Sequence, residues 1–422
     1  MDQTIVRPAP LRLPRYDPHV IAPAGLLSKI DVKWVHLGLR IARWLWFLPR
    51  LGGLTIVSRY DDVAEVLNRP DVFKVPFDEE IPLLNDGERP GTNFILGIDN
   101  VKAHDEQLRF LMAAFRRSDI ADVVVPRARA IAEANLARQP LQFDAIGELI
   151  TRVPLELCTQ YYGVPIPGDL RTFAYATIDL SGHLFGPPPV NGTASAQVFS
   201  AARYVRVVLD AAIAARTASE TTPLGRLLSL QTKAPQQLSD KHIRAFLTGM
   251  IVGFVPTNTL AGGHILEMLL DHPSYLKQAQ SAALVGDDDL LWRVLLEALR
   301  FKPHNFGPFR ICERDYVLAA DTFYAARIKA GGRVLASTMS AMFDARHVDA
   351  PRRFIPGRPA SDYMMFGHGI HWCVGAYIAQ AQLTQTFKAL LRKGRLERVA
   401  GESGKTRRRG FFPDRLNVML TR

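Results

Sequence analysis

The chain is poor in cysteine. Cys158, Cys312 and Cys373 are the only three in 422 residues. So odd and sparse a set excludes a disulfide framework and fits a reducing compartment. Also missing is any run of about 18 uninterrupted apolar residues, the length that a membrane-spanning helix needs. The most lipid-like stretch, RWLWFLPRLGG at residues 43–53, is short and broken by Pro49, so it reads as core or as a surface-docking segment. The opening MDQTIVRPAPLRLPRYDP lacks the apolar centre of a secretory signal, and a cytoplasmic location is expected. No low-complexity linker and no repeat of fixed period is visible. One domain over residues 1–422 is the expectation, with residues 1–50 as its N-terminal extension. Acidic residues are the scarcer charge: 41 Asp and Glu stand against 52 Lys and Arg, a net charge of +11. The basic residues are scattered (Arg116–Arg117, Arg352–Arg353, Arg392–Lys393 and residues 405–409) and no nucleic-acid module accompanies them. That argues against a nucleic-acid partner and leaves an acidic protein partner or a plain solvated surface.

What is there is mostly helical periodicity. Residues 61–68 (DDVAEVLN) open with carboxylates and predict a short helix after the strand-like LTIVSRY. Helices are expected over 104–117, 120–137, 145–162, 195–218, 240–272, 290–301 and 374–392, the last ended by Gly394. Strands are expected around 316–323 and 327–335. Residues 77–101 read as irregular, and GPPPVNG at 186–192 as a loop. The fold class is therefore mainly α with a minor β region. Cys158 lies in a helical apolar stretch and Cys312 in a strand-like run, and both read as buried.

FGHGIHWCVG, residues 366–375, is different in kind. Gly367 and Gly369 permit backbone shapes that a side chain forbids. Cys373 stands directly before a helix, where unpaired N–H groups and the helix dipole favour a thiolate. Gly375 leaves room for a large flat group, and Phe366 can screen the sulfur from water. A thiolate is a known axial ligand of haem iron.

Phe366-x-x-Gly369-x-x-x-Cys373-x-Gly375 resembles the haem-binding signature of the cytochrome P-450 family, in the form usual for soluble bacterial members. The resemblance implies that Cys373 ligates the iron of haem b and that His371 touches a haem propionate. It implies a fold with the haem between a long central helix and the helix after the cysteine. Further motifs follow in the family's order. Glu297-Ala-Leu-Arg300 resembles the Glu-x-x-Arg helix, whose two side chains share a face. Pro351-Arg352-Arg353-Phe354 matches the loop that adds a second arginine, with Arg353 in that structural role. Arg310, thirteen residues past Glu297, matches an arginine that binds a propionate, as a guanidinium suits a buried carboxylate. AHDEQLRFLMAAF resembles the helix that brings a histidine and an arginine to the other propionate. His104 fits. The arginine is expected at position 108, where Leu108 stands, so Arg109 is offset by about 100° on a regular helix.

The long helix departs from the family. Its usual core carries an acid and an alcohol that relay protons to bound oxygen. In the register that puts Thr257 sixteen residues before Pro273, Pro256 replaces the acid and Phe254 a glycine. The other register pairs Asn258 with Thr259. No acid is present in either. The resemblance implies an oxygen-dependent monooxygenase acting on a small apolar organic substrate. Electrons would come from a separate ferredoxin or flavodoxin with its NAD(P)H reductase, because no flavin or iron–sulfur motif is present, and the chain is expected to be a monomer. The missing acid keeps open a peroxide- or hydroperoxide-using enzyme, and a haem-binding sensor without turnover is the third reading. Phe254, Val255, Phe306 and Phe309 are the expected substrate contacts, with Thr257 and Pro256 as the oxygen-side pair. Residues 77–101 are expected to close over the haem and 183–190 to form a lid.

Overall fold

The computed structural model describes residues 11–21, 32–88, 91–186 and 195–421. Among these, helices dominate. In the N-terminal half they are α1 (Val32–Trp44), α2 (Tyr60–Leu67), α3 (Glu80–Asp86), α4 (Val101–Ala114), α5 (Val125–Ala137), α6 (Arg152–Gln160), α7 (Leu170–Phe185) and α8 (Ala196–Ala215). There follow α9 (Pro223–Lys233), α10 (Asp240–Val252), α11 (Val255–Asp271), α12 (Pro273–Val285), α13 (Asp288–Phe301), the short α14 (Thr338–Ala341) and α15 (Ala376–Arg392). Side chains written into the sequence start many of them. Asn100 caps α4, Asp169 caps α7, Ser195 caps α8, Thr222 caps α9 and Asp287 caps α13, each accepting a backbone N–H of the first turn. Ser239 and His242 form a reciprocal capping box at α10. Proline lies in the first turn of α9, α11 and α12, where its missing N–H has no partner within the helix to lose.

The strands are short: β1 (Arg50–Leu51), β2 (Leu54–Val57), β3 (Phe73–Lys74), β4 (Gln142–Asp144), β5 (Phe309–Cys312), β6 (Tyr316–Leu318), β7 (Ala326–Ile328), β8 (Arg333–Ala336), β9 (Arg395–Arg398), β10 (Arg407–Arg409), β11 (Phe412–Arg415) and β12 (Asn417–Thr421). The largest sheet runs β1-β2-β8-β5-β3. Its β2–β8 pair is parallel, with Thr55 opposite Val334, and β5 lies antiparallel to β8, with Arg310 opposite Val334. A second sheet, β4-β12-β9, and the hairpins β6-β7 and β10-β11 complete the β part.

One apolar core runs from Tyr16 to Leu420 through helices α5, α7, α8, α10, α11, α13 and α15. Residues 240–271 are apolar and long enough to cross a membrane, but 78% of the most apolar window is buried inside the protein. The apolar stretch at 43–53 is not core: Trp44 is 74% and Leu51 61% exposed.

The helical expectation holds, and several boundaries move. The single helix expected over 240–272 is two, parted at Gly253–Phe254. The one expected at 145–162 opens with a π-type turn at Ile146–Ile150. Residues 77–101 are not wholly irregular, since they hold α3 and a short turn at Ile95–Gly97. Helices α1, α7, α9, α12 and α14 were not foreseen. Of the expected lid, residues 187–190 lie outside the described residues, as does most of the expected loop at 186–192, and 183–185 belong to α7.

Candidate functional site

Cys373 lies in the loop before α15. Its N–H donates to the Phe366 carbonyl at 2.9 Å, closing the loop on itself. Gly369 has φ +70°, and a Cβ there would stand 2.4 Å from the Leu67 carbonyl oxygen. Only glycine lets the loop lie that close to α2. Cys373 is half-buried, and it lines a large cavity. Burial raises its thiol pKa, while the N–H groups of Gly375 and Ala376 pull it back down. The Ala376 N–H itself donates to the Cys373 carbonyl at 3.2 Å. Phe366 and Trp292 also line the cavity, with ring centroids 6.5 Å apart.

One side of the cavity holds a buried guanidinium without an acidic partner, and two buried imidazoles. Arg310, on β5, is 4% exposed. Its Nη1 donates only to its neighbour's carbonyl, Phe309 O, at 2.8 Å. No carboxylate lies within ion-pair distance of it among the described residues, and burial lowers its pKa to about 10. His104, on α4, is 2% exposed, and its Nδ1 has no hydrogen-bond partner. His371 donates to or accepts from Asp99 through Nε2 at 3.0 Å and leaves its own Nδ1 unpartnered. The two imidazoles meet edge to face at 5.5 Å. An uncompensated buried cation costs several kcal/mol. One such guanidinium, with a free imidazole nitrogen on each of two neighbouring histidines, fits a ligand carrying carboxylates.

Behind this wall lies a second cluster, complete in itself. Glu297 and Arg300, both fully buried on α13, pair through two bonds: Arg300 Nε to Oε2 at 2.9 Å and Nη2 to Oε1 at 2.8 Å. Arg358 Nε donates to Glu297 Oε1 at 3.0 Å, the Ile355 N–H to the same oxygen at 3.0 Å, and the Tyr363 hydroxyl to Oε2 at 3.0 Å. Burial pushes the Glu297 carboxyl up, but the donors together hold it below the usual glutamate range. The remaining guanidinium N–H groups reach the carbonyls of Met342, Pro351, Asp349, Ala350 and Arg353. The cluster pins the loop that leads to Cys373. The expected third member, Arg353, is exposed and gives only its carbonyl. Arg358 takes its place.

The break between α10 and α11 faces the same cavity. Pro256 falls in the first turn of α11, so the opening expected from it takes the form of a new helix start. Thr257 lines the cavity, and its hydroxyl donates to the Gly253 carbonyl. Asn258 lines it too: its Nδ2 donates to Phe254 O at 2.7 Å, and its Oδ1 is buried without a partner. Thr259 turns away, to Val255 O at 2.9 Å and the Thr151 hydroxyl at 3.2 Å. Pro256 and Val255 are buried off the cavity wall, against the expectation for both. Phe254 lines it but leans on Tyr162, 5.5 Å between centroids. Phe309 lines it, whereas Phe306 turns into a small cluster with Leu54 and Leu335. Arg109 sits on the exposed face of α4, as its one-residue offset dictates. No Asp or Glu lines the cavity among the described residues.

Residues 208–414 match the family model described as Cytochrome P450. The erythromycin C-12 hydroxylase of Saccharopolyspora erythraea is 26% identical over 352 residues, 82% of this chain and 83% of that one. The vitamin D(3) 25-hydroxylase of Pseudonocardia autotrophica is 26% identical, covering 78% of each. The chain belongs to the cytochrome P-450 family. Among solved structures, ligand-free cytochrome P450 TbtJ1 superposes with a TM-score of 0.74 over 92% of this chain and 98% of that one, at 24% identity.

As a cytochrome P-450 the chain is a monooxygenase-type enzyme whose cofactor is haem. The site fits that cofactor on its own terms: a cysteine on the cavity wall directly before a helix, a buried Arg310 with no acid beside it, and one free ring nitrogen each on His104 and His371. Two parts of this P-450 site escaped sequence reasoning. Asp99 is brought to His371 across the fold, which no local pattern announces. Arg358 was one of three arginines in a seven-residue stretch, and only the fold says which one turns inward.

Proposed function

We propose that the chain is an oxygen-dependent haem-thiolate monooxygenase of the cytoplasm that hydroxylates a largely apolar organic molecule. The observation that carries this is Cys373, set in the loop directly before α15 and on the wall of a cavity whose lining is mostly apolar. Haem b, when bound, supplies oxygen activation and one-electron chemistry, and a thiolate ligand favours O–O cleavage. Cys373 is the ligand; Arg310, His104 and His371 hold the propionates. Phe366 and Trp292 keep water from the sulfur. On the opposite wall, Thr257 Oγ1 and Asn258 Oδ1 hold water or a substrate hydroxyl in line to pass protons. Phe254 and Phe309 face the substrate.

Electrons come from an external ferredoxin or flavodoxin. In support, Arg116 and Arg117 are exposed, Arg117 lies over the Tyr377 ring at 3.1 Å, and exposed Trp372 immediately precedes Cys373. An acidic partner would dock on such a surface. A second reading has one observation in its favour: the absence of any carboxylate on the described cavity wall suits an enzyme that starts from a peroxide. Turnover measured on one purified sample separates the two. Activity with ferredoxin, NAD(P)H and oxygen is the expected result; activity with peroxide alone overturns it. The reduced protein under carbon monoxide should show the absorption maximum of thiolate ligation, and Cys373→Ser should lose it.

A further inference from the structure

Helices α3, α7, α8 and α10 pack against one another over the cavity. Almost everything they contribute to its wall is apolar. The exceptions are Asn85, Ser181, Thr248 and one full charge, Arg206 on α8. Two acids stand near it, Asp86 and Asp210, and both are taken. Arg244 pairs with Asp86 through Nη2 and with Asp210 through Nη1, the latter at 2.6 Å. Asp86 also accepts the Thr92 N–H at 2.6 Å. Arg206 itself has no hydrogen bond and no ion pair among the described residues. Its guanidinium is nonetheless held in place: Gly87, at φ +80°, leaves the space it fills, and a Cβ there would lie 2.3 Å from its Nη1. Arg206 is half-buried, and burial and the like charge of Arg244 lower its pKa, with Asp210 and Asp86 offsetting this only in part. A guanidinium on an apolar wall, with every neighbouring acid engaged elsewhere, is a cation lacking its counter-ion.

We infer that Arg206 receives an anionic group of the substrate, so that the substrate class is an apolar carboxylic acid. The inference rests on the monooxygenase reading only for what happens next; the anchor itself requires the cavity alone. The carboxylate ion-pairs with Arg206, with Ser181 and Thr248 as further donors, and the apolar body occupies the cavity that Cys373 shares. Oxidation then falls on a carbon away from the carboxylate. The absence of acids from the described wall belongs to the same design, because a carboxylate there would repel such a substrate.

The test uses matched probes on the haem-loaded protein by isothermal titration calorimetry: dodecanoic acid against dodecan-1-ol, and adamantane-1-carboxylic acid against 1-adamantanemethanol. Charge-assisted hydrogen bonds predict that the acid of at least one pair binds about tenfold to a hundredfold more tightly than its alcohol. Arg206→Gln should abolish that preference while leaving alcohol binding unchanged, and Arg206→Lys should restore part of it. Equal binding of acid and alcohol in both pairs, no binding of any probe, or an Arg206→Gln variant that keeps the preference overturns the inference. The carbon monoxide spectrum of the same samples reports separately on the haem-thiolate reading. A normal spectrum with no acid preference removes the anchor alone. An acid preference in a protein without that spectrum keeps the anchor and removes the monooxygenase.

Discussion

Two groups of buried charge sit side by side in this molecule. Around Glu297 each carboxylate oxygen has at least two donors, and the guanidinium groups of Arg300 and Arg358 reach carbonyls with the N–H groups that remain. Around Arg310, His104 and His371 the accounts stay open: a guanidinium bonded to one carbonyl and two imidazole nitrogens without partners. Both are buried, both lie near the Cys373 loop, and both would look alike in a composition count. A closed network is a strut. An open one of this kind is a receptor, since its stability is completed by something that arrives.

That distinction can be broken in order of effect. Glu297→Gln removes one charge from the closed network and leaves two buried arginines facing a neutral amide. A loss of about 3–5 kcal/mol is expected, equal with and without haem, in urea unfolding of both forms. The sign with pH follows from the depressed carboxyl. Its contribution is whole above the ordinary glutamate range and fades as acid titrates it through its lower folded value, so wild type and variant should converge in acid.

His304 gives an intermediate case. It lines the cavity, its Nδ1 is orphaned, and burial lowers its pKa to about 4. The unfolded chain takes up a proton near pH 6.5 and the folded one only near 4, so stability falls as pH drops through that window. About 3 kcal/mol is at stake. His304→Leu should flatten that part of the stability–pH curve, read by thermal unfolding between pH 7 and 4.

The smallest change in fold stability belongs to Arg310→Leu. Without haem it removes an unpaired cation and should leave unfolding unchanged or slightly harder. With haem it should speed transfer of the cofactor to an acceptor globin by roughly tenfold to a hundredfold, the loss of a charge-assisted pair. If the haem-free protein lost several kcal/mol instead, the open cluster would be a strut after all.

The sequence was most informative where chemistry is local. The Cys373 loop, the Glu297–Arg300 spacing and the proline before Thr257 all act within a few residues, and each was legible. What was hidden acts at long range. Arg353 and Arg358 are five residues apart in one loop, and the choice between them is made by the carbonyls of residues 349–353 folding over a helix. Asp99 meets His371 across 272 residues of chain. Helix α1 was obscured because its apolar pattern runs on into the exposed Trp44, Leu45 and Phe47. Arg109 was legible in a negative sense: its offset already pointed it outward.

The helix start at Pro256 carries a lesson about how this lineage can change. Because that ring is packed into the protein core, restoring an acid at the same position would bury it among apolar neighbours. Two residues on, Asn258 already presents an amide to the reaction space. Its NH2 is committed to the Phe254 carbonyl at 2.7 Å, so an oxygen in its place would meet another acceptor, and an acid there would have to be held protonated or turned into the cavity.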